Sequence, residues 1–261
     1  MNSLFRTQAL ITMSLAVATL ALEVSAQSTG FRVETDVYQK GVSNPVQQTV
    51  TLFSGGIAYD ISRDDSDDEI TMVDPELDRI VLLNRKHKVQ TEVKISDLAK
   101  LFEAAKAQAL TNDLAPFVAN AQQVENLGDK VVVGDVNLMR YEATLQSPED
   151  AAIAEDCSTL YRQFADAAKY LNAYHQRTQP PFARLTLNAQ IAAQKSIPKE
   201  IKLQMQKQDA LVELTCRLIP AWELSDSDKK RVLQIGQDKL TFTAVSSAEY
   251  QRITAENVAT K

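Results

Sequence analysis

"VQQTVTLFSGGIAYDI", residues 46–61, decides the fold. "VQQTVTLF" (46–53) is rich in β-branched residues, which suit a pleated, half-buried strand. "IAYDI" (57–61) puts Ile57, Tyr59 and Ile61 on one side of a two-residue alternation. Between them, "SGG" (54–56) supplies residues tolerant of positive φ, so the chain can reverse tightly. The stretch predicts a β-hairpin.

The same period continues outward in both directions. In "FRVETDV" (31–37), Phe31, Val33, Thr35 and Val37 share one face, and Arg32, Glu34 and Asp36 share the other. Downstream, "EITMV" (69–73) leads into the Pro-containing turn "DPELD" (74–78). "RIVLL" (79–83) is apolar on both faces, which predicts a central strand covered on both sides. "HKVQTEVKI" (87–95) alternates again, with Val89, Thr91, Val93 and Ile95 facing inward. The first half of the chain reads as an antiparallel meander.

The period then becomes helical. Leu98, Leu101, Phe102, Ala105 and Ala109 form one stripe, with Ser96 as the predicted N-cap. "KVVV" (130–133) and "VNLMRYEATLQ" (136–146) predict two further strands. "SPED" (147–150) predicts a helix start capped by Ser147, and the helix runs to about residue 175. Its apolar face carries Ile153, Cys157, Leu160, Tyr161, Phe164, Ala168 and Leu171. "QPPF" (179–182) ends it and opens a shorter helix that Pro198 stops. "EIKLQMQ" and "ALVELTCRLIPAW" predict a second hairpin. "LSDSDKKRVLQIG" predicts a helix from Ser225, with Asp228 completing a capping box and Gly236 past its end. "KLTFTAV" (239–245) predicts a last strand. Strands followed by mixed helices and strands give an α+β fold: an antiparallel sheet (a meander) with helices packed on one face.

The first 26 of the 261 residues read as an export signal. Arg6 supplies a basic start, "ALITMSLAVATLAL" (9–22) an apolar stretch, and Val24 and Ala26 the small residues before a cleavage site. A mostly apolar stretch of 14 residues falls short of the ~20 that a spanning helix needs. The expectation is an exported protein, periplasmic or extracellular, with one domain over 27–261. Its net charge of −6 offers no basic footprint for nucleic acid, and 7 glycines leave little for phosphate-cradling loops.

Chemistry-bearing residues are sparse. The acidic run Asp64, Asp65, Asp67, Asp68 and Glu69 fails the EF-hand spacing, because position six would be Glu69 and position twelve Pro75. It reads as a solvated hairpin tip close to Arg85, Lys86 and Lys88, with a looser calcium site as the alternative. Cys157 and Cys216 both fall on apolar faces, so two readings stand: a disulfide, or two buried thiols. His87 and His175 have no neighbours at metal-ligand spacing. Trp222, beside Pro220, reads as a core or edge anchor. No catalytic group, metal site or cofactor is indicated, and the residues alone assign no ligand contact.

"SGGIAYD" (54–60) and "VDPELDRI" (73–80) resemble the LolA/LppX-type superfamily of exported lipid and lipoprotein carriers: a glycine turn, an aromatic-bearing strand, and an Asp-Pro turn into the next strand. The resemblance covers about residues 31–95. It implies a curved half-barrel whose concave face, covered by helices, holds acyl chains. The chain departs from the pattern in lacking a helix before the first strand and in its long helix over 148–175. The resulting expectation is a non-enzymatic protein binding a hydrophobic ligand, such as a lipid or an acyl chain, between sheet and helices. A cell-envelope interaction or scaffold protein is the alternative, and a secreted hydrolase comes third.

Overall fold

The computed structural model describes residues 30–63, 69–109, 113–175, 180–207 and 210–255. The export-signal segment and Asp64–Asp68 of the acidic run lie outside the described residues.

The alternation read from the sequence becomes strands β1 (Phe31–Gln39), β2 (Gln47–Ser54), β3 (Ile57–Ser62), β4 (Glu69–Asp74), β5 (Arg79–Asn84) and β6 (Val89–Lys94). Helices α1 (Ile95–Ala109) and α2 (Ala115–Asn120) follow, then β7 (Val124–Asn126), β8 (Lys130–Asp135) and β9 (Met139–Gln146). The long helix α3 (Ala151–Tyr174) and α4 (Phe182–Ala193) form an antiparallel pair before the hairpin β10 (Ile197–Lys207) and β11 (Ala210–Ala221). The chain closes with α5 (Asp226–Thr241), the short β12 (Thr243–Ala244) and α6 (Ser247–Ala255).

All twelve strands belong to one curved, open sheet in the order β12-β6-β5-β4-β3-β2-β1-β11-β10-β9-β8-β7. Two antiparallel meanders are joined where β1 pairs with β11, Val37 opposite Cys216. Only β12 runs parallel to its neighbour, β6. The expected α+β fold with a curved antiparallel sheet is present.

One part of that expectation needs correction: helices cover both faces. Along β2 to β5, adjacent residues go to different cores. Phe53, Ala58, Val73 and Ile80 join a large cluster with α1 to α4. Leu52, Tyr59, Met72 and Val81 join a smaller cluster closed by Ile235 of α5, with Val232 and Phe242 packed against it. Side chains of neighbouring strand residues point to opposite faces, so α5 lies on the face opposite α3. Gln90 of β6 holds α5's last turn by donating to the Lys239 and Phe242 carbonyls (2.8 and 2.9 Å), and Arg85 binds Asp238 at 2.7 Å. The chain then passes the sheet edge as β12, and Ser247 of α6 meets Thr91 on the other face (3.4 Å).

Local boundaries also differ from the sequence reading. Ser96 does not cap α1. Its N–H and hydroxyl both donate to the Asp78 carboxylate (2.8 and 2.5 Å), so the residue before β5 satisfies the first turn instead. Asp78 holds a positive φ of 51°, which turns its side chain towards that turn. α3 is capped by Asp150, which accepts from Ala152 N–H at 2.8 Å, while Ser147 ties to Ser196. Gly236 sits inside α5 rather than past its end, because Ile235 is anchored in the second core and the carbonyls beyond it have partners. The segment 239–245 contributes only the two residues of β12. α4 ends at Ala193, and Pro198 falls within β10, where the pairing with β9 shifts register. Ser225 and Asp228 do form the expected capping box.

Candidate functional site

α1 and α3 touch through Phe102 and Tyr170, whose ring centroids lie 5.3 Å apart. Phe182, the first residue of α4, closes the contact at 5.5 Å from Phe102. Beyond this aromatic junction lies a groove of about 610 Å³. Leu98, Leu101 and Ala105 of α1 line one wall, Ala173 and Tyr174 of α3 the other, and Pro180 and Pro181 the end. Its volume is that of a small-molecule pocket, and its lining is dominated by carbon.

The sequence stripe explains the groove only in part. Leu98 and Ala109 turn into the core, at 3% and 0% exposure, whereas Leu101 stays 56% exposed. Tyr174 and Leu114 are exposed as well. A stripe that reads as one buried face is therefore split between core and groove. Pro181 stands at the N-cap of α4, and the Pro180–Pro181 pair keeps that end of the groove rigid.

On the other side of the aromatic junction lies a second hollow of about 270 Å³, sharing Phe102, Tyr170 and Phe182 with the first. Its chemistry is different: Glu103 and Lys106 of α1 face Arg162 and Asp166 of α3. Asp166 is fixed by two bonds. Its Oδ1 accepts from Asn188 (2.8 Å), whose own Oδ1 accepts from Arg184 Nε (2.9 Å), and its Oδ2 lies 3.4 Å from Arg162 Nε. Burial raises the Asp166 pKa, opposed by the Asn188 bond and the Arg162 charge. Tyr170 is raised as well, by burial first and then by Asp166 and Glu103. These charged residues were missed from sequence because they are spread over two helices. The local signals were two pairs four residues apart, Arg162–Asp166 on α3 and Arg184–Asn188 on α4.

Between α3 and the sheet the space is filled. Phe31 stacks on Phe53 at 4.1 Å, and Trp222 rests 6.1 Å from Phe31, the anchoring role read from its position. Burial pushes Tyr141 and Tyr161 up to about 12, despite the nearby Arg184 charge. On the same sheet face Asp60 accepts from Thr51 (2.7 Å), and burial raises it to about 6 against its threonine hydrogen bonds.

The two cysteines are not bridged to each other in the structure. Cys157 is fully buried on α3, and Cys216 is half-buried on β11. Burial raises both thiols, Cys157 to about 11, which keeps them protonated and poorly nucleophilic. His87 lies in the β5–β6 turn, its N–H bonded to Asn84 Oδ1 at 2.9 Å. His175 caps α3, with Nδ1 2.7 Å from Gln251 of α6. Among the described residues no three His, Cys, Asp or Glu side chains converge as metal ligands. Arg85, expected beside the acidic run, binds Asp238 of α5; Asp64–Asp68 lie outside the described residues.

No protein-family model matches the chain, and no curated protein matches it in sequence.

Proposed function

We propose that the protein is an exported, non-enzymatic carrier that binds a hydrophobic ligand, a lipid or acyl chain, in the groove between α1, α3 and the start of α4. The observation that carries this reading is the groove itself: about 610 Å³, walled by Leu98, Leu101, Ala105 and Ala173, with Leu101 held 56% exposed. Leaving such surface in water is unfavourable by roughly 25 cal/mol per Å², and a bound chain would recover it. The sequence reading placed the ligand between sheet and helices. That space holds packed aromatic and aliphatic side chains, so the groove between the helices supports binding better. The export-like residues 1–26 and the resemblance to exported lipid carriers point in the same direction.

The test is mass spectrometry of the full chain purified without detergent. The expected result is co-purifying lipid in the native protein and its loss in Leu101→Glu, which places a carboxylate in the groove. A native protein free of lipid, and unable to take up added lipid, contradicts the proposal.

A second reading, an envelope interaction protein, has one observation in its favour. Leu233 and Leu240 of α5 are 68% and 87% exposed and lie two helical turns apart on one side. Under that reading Leu233→Lys with Leu240→Lys would abolish association with envelope proteins and leave bound lipid unchanged. Under the carrier reading both properties stay as they are in this double variant.

A further inference from the structure

The apolar groove does not stand alone. Phe102, Tyr170 and Phe182 line both it and the charged hollow, so the two adjoin across the aromatic junction. The two compartments ask for opposite chemistry. The larger accepts hydrocarbon, and the smaller presents two cations, Lys106 and Arg162, and two carboxylates, Glu103 and Asp166.

Their satisfaction differs. Asp166 already accepts from Asn188 and pairs with Arg162. Lys106 and Glu103, three residues apart on α1, form no ion pair among the described residues. The hollow therefore offers one cation, half-buried Lys106, and one exposed carboxylate, Glu103, neither in an ion pair among the described residues, beside a hydrocarbon site. An anionic head group would suit Lys106 and Arg162 but meet Glu103. A cationic one would suit Glu103 but meet Lys106. An uncharged one would leave both unmatched. A head group with a phosphate and an ammonium matches each.

We propose that the ligand is a zwitterionic phospholipid-type amphiphile, its acyl chain in the apolar groove, its phosphate on Lys106 and Arg162, and its ammonium on Glu103. This rests on the carrier reading above and names the ligand class for that same groove.

The test is titration calorimetry of the full chain with three amphiphiles of equal chain length, each below its micelle concentration. The probes are a lysophosphocholine, an anionic lysophosphoglycerol and an uncharged alkyl maltoside. Lysophosphocholine is expected to bind about tenfold tighter than either of the others, the size of one charge-assisted contact. Lys106→Glu should weaken both phosphate-bearing probes by about tenfold and leave the maltoside unchanged. Ala105→Glu, in the apolar wall, should weaken all three. Equal binding of the three probes, or tightest binding of the anionic one, overturns the head-group assignment and leaves the carrier reading standing. No binding of any probe overturns both.

Discussion

The two faces of β2 to β5 are sealed in different ways. On one, a single helix, α5, closes a small core: Ile235 is wholly buried, Ser225 and Asp228 cap the start, and Gln90 and Arg85 pin the end. On the other, α1 to α4 close a large core but leave Leu101, Leu114 and Tyr174 in solvent. The first face is packed to completion. The second is packed against the sheet and left open between its own helices. That difference separates a structural layer from a candidate binding layer, and it can be broken by substitution.

Ile235→Ala should have the largest effect, a loss of about 3 kcal/mol for a buried aliphatic residue. Chemical denaturation checks it. A loss below about 1 kcal/mol would mean that the α5 face is not a closed core.

Asp60, half-buried on the large-core face of β3, sharpens the contrast. Its raised folded pKa, about 6 by burial, means the native state holds the proton more tightly than the unfolded chain. Between the unfolded value near 4 and about pH 6, stability falls as pH rises, and the penalty is complete above pH 6. Asp60→Asn should therefore gain on the order of 2 kcal/mol at pH 8 and progressively less towards pH 4. A gain that does not vary with pH would contradict the burial of that carboxylate.

Ser225→Ala removes the capping box of α5 and should cost about 1 kcal/mol, read from the same denaturation curves. Leu101→Ala should be smallest, within about 0.5 kcal/mol of the native protein, because the side chain is already exposed. A cost of several kcal/mol there would mean that the groove is closed in solution and that the contrast between faces fails.

Much of this was legible in the sequence, and the failures have physical causes. β1 to β6 were readable because half-buried strands alternate; the register, Phe31 opposite Phe53 and Leu52 opposite Tyr59, comes from the structure. "RIVLL" even carried the second core. Its apolar residues on both faces predicted cover on both sides, and Ile80 and Val81 now face different clusters. The one-sided helical layer conflicted with that local signal, and the local signal was right. α5 was recognised as a helix, but its side of the sheet depends on contacts about 150 residues away, such as Arg85 with Asp238. The groove was hidden because Leu98 and Leu101 look alike in a stripe, yet one is 3% and the other 56% exposed in the fold. The charged hollow depends on α1 meeting α3, a tertiary event without local sequence periodicity.

The central claim is that hydrocarbon binds between α1, α3 and α4. The most direct measurement is photo-crosslinking of the full chain with an acyl probe bearing a photoreactive group along its chain, followed by peptide mapping. The account predicts crosslinks on 98–105, 170–174 and 180–182, suppressed in Ala105→Glu. Crosslinks concentrated instead on the sheet face around Tyr141 and Cys216, or scattered over exposed α5, would contradict it.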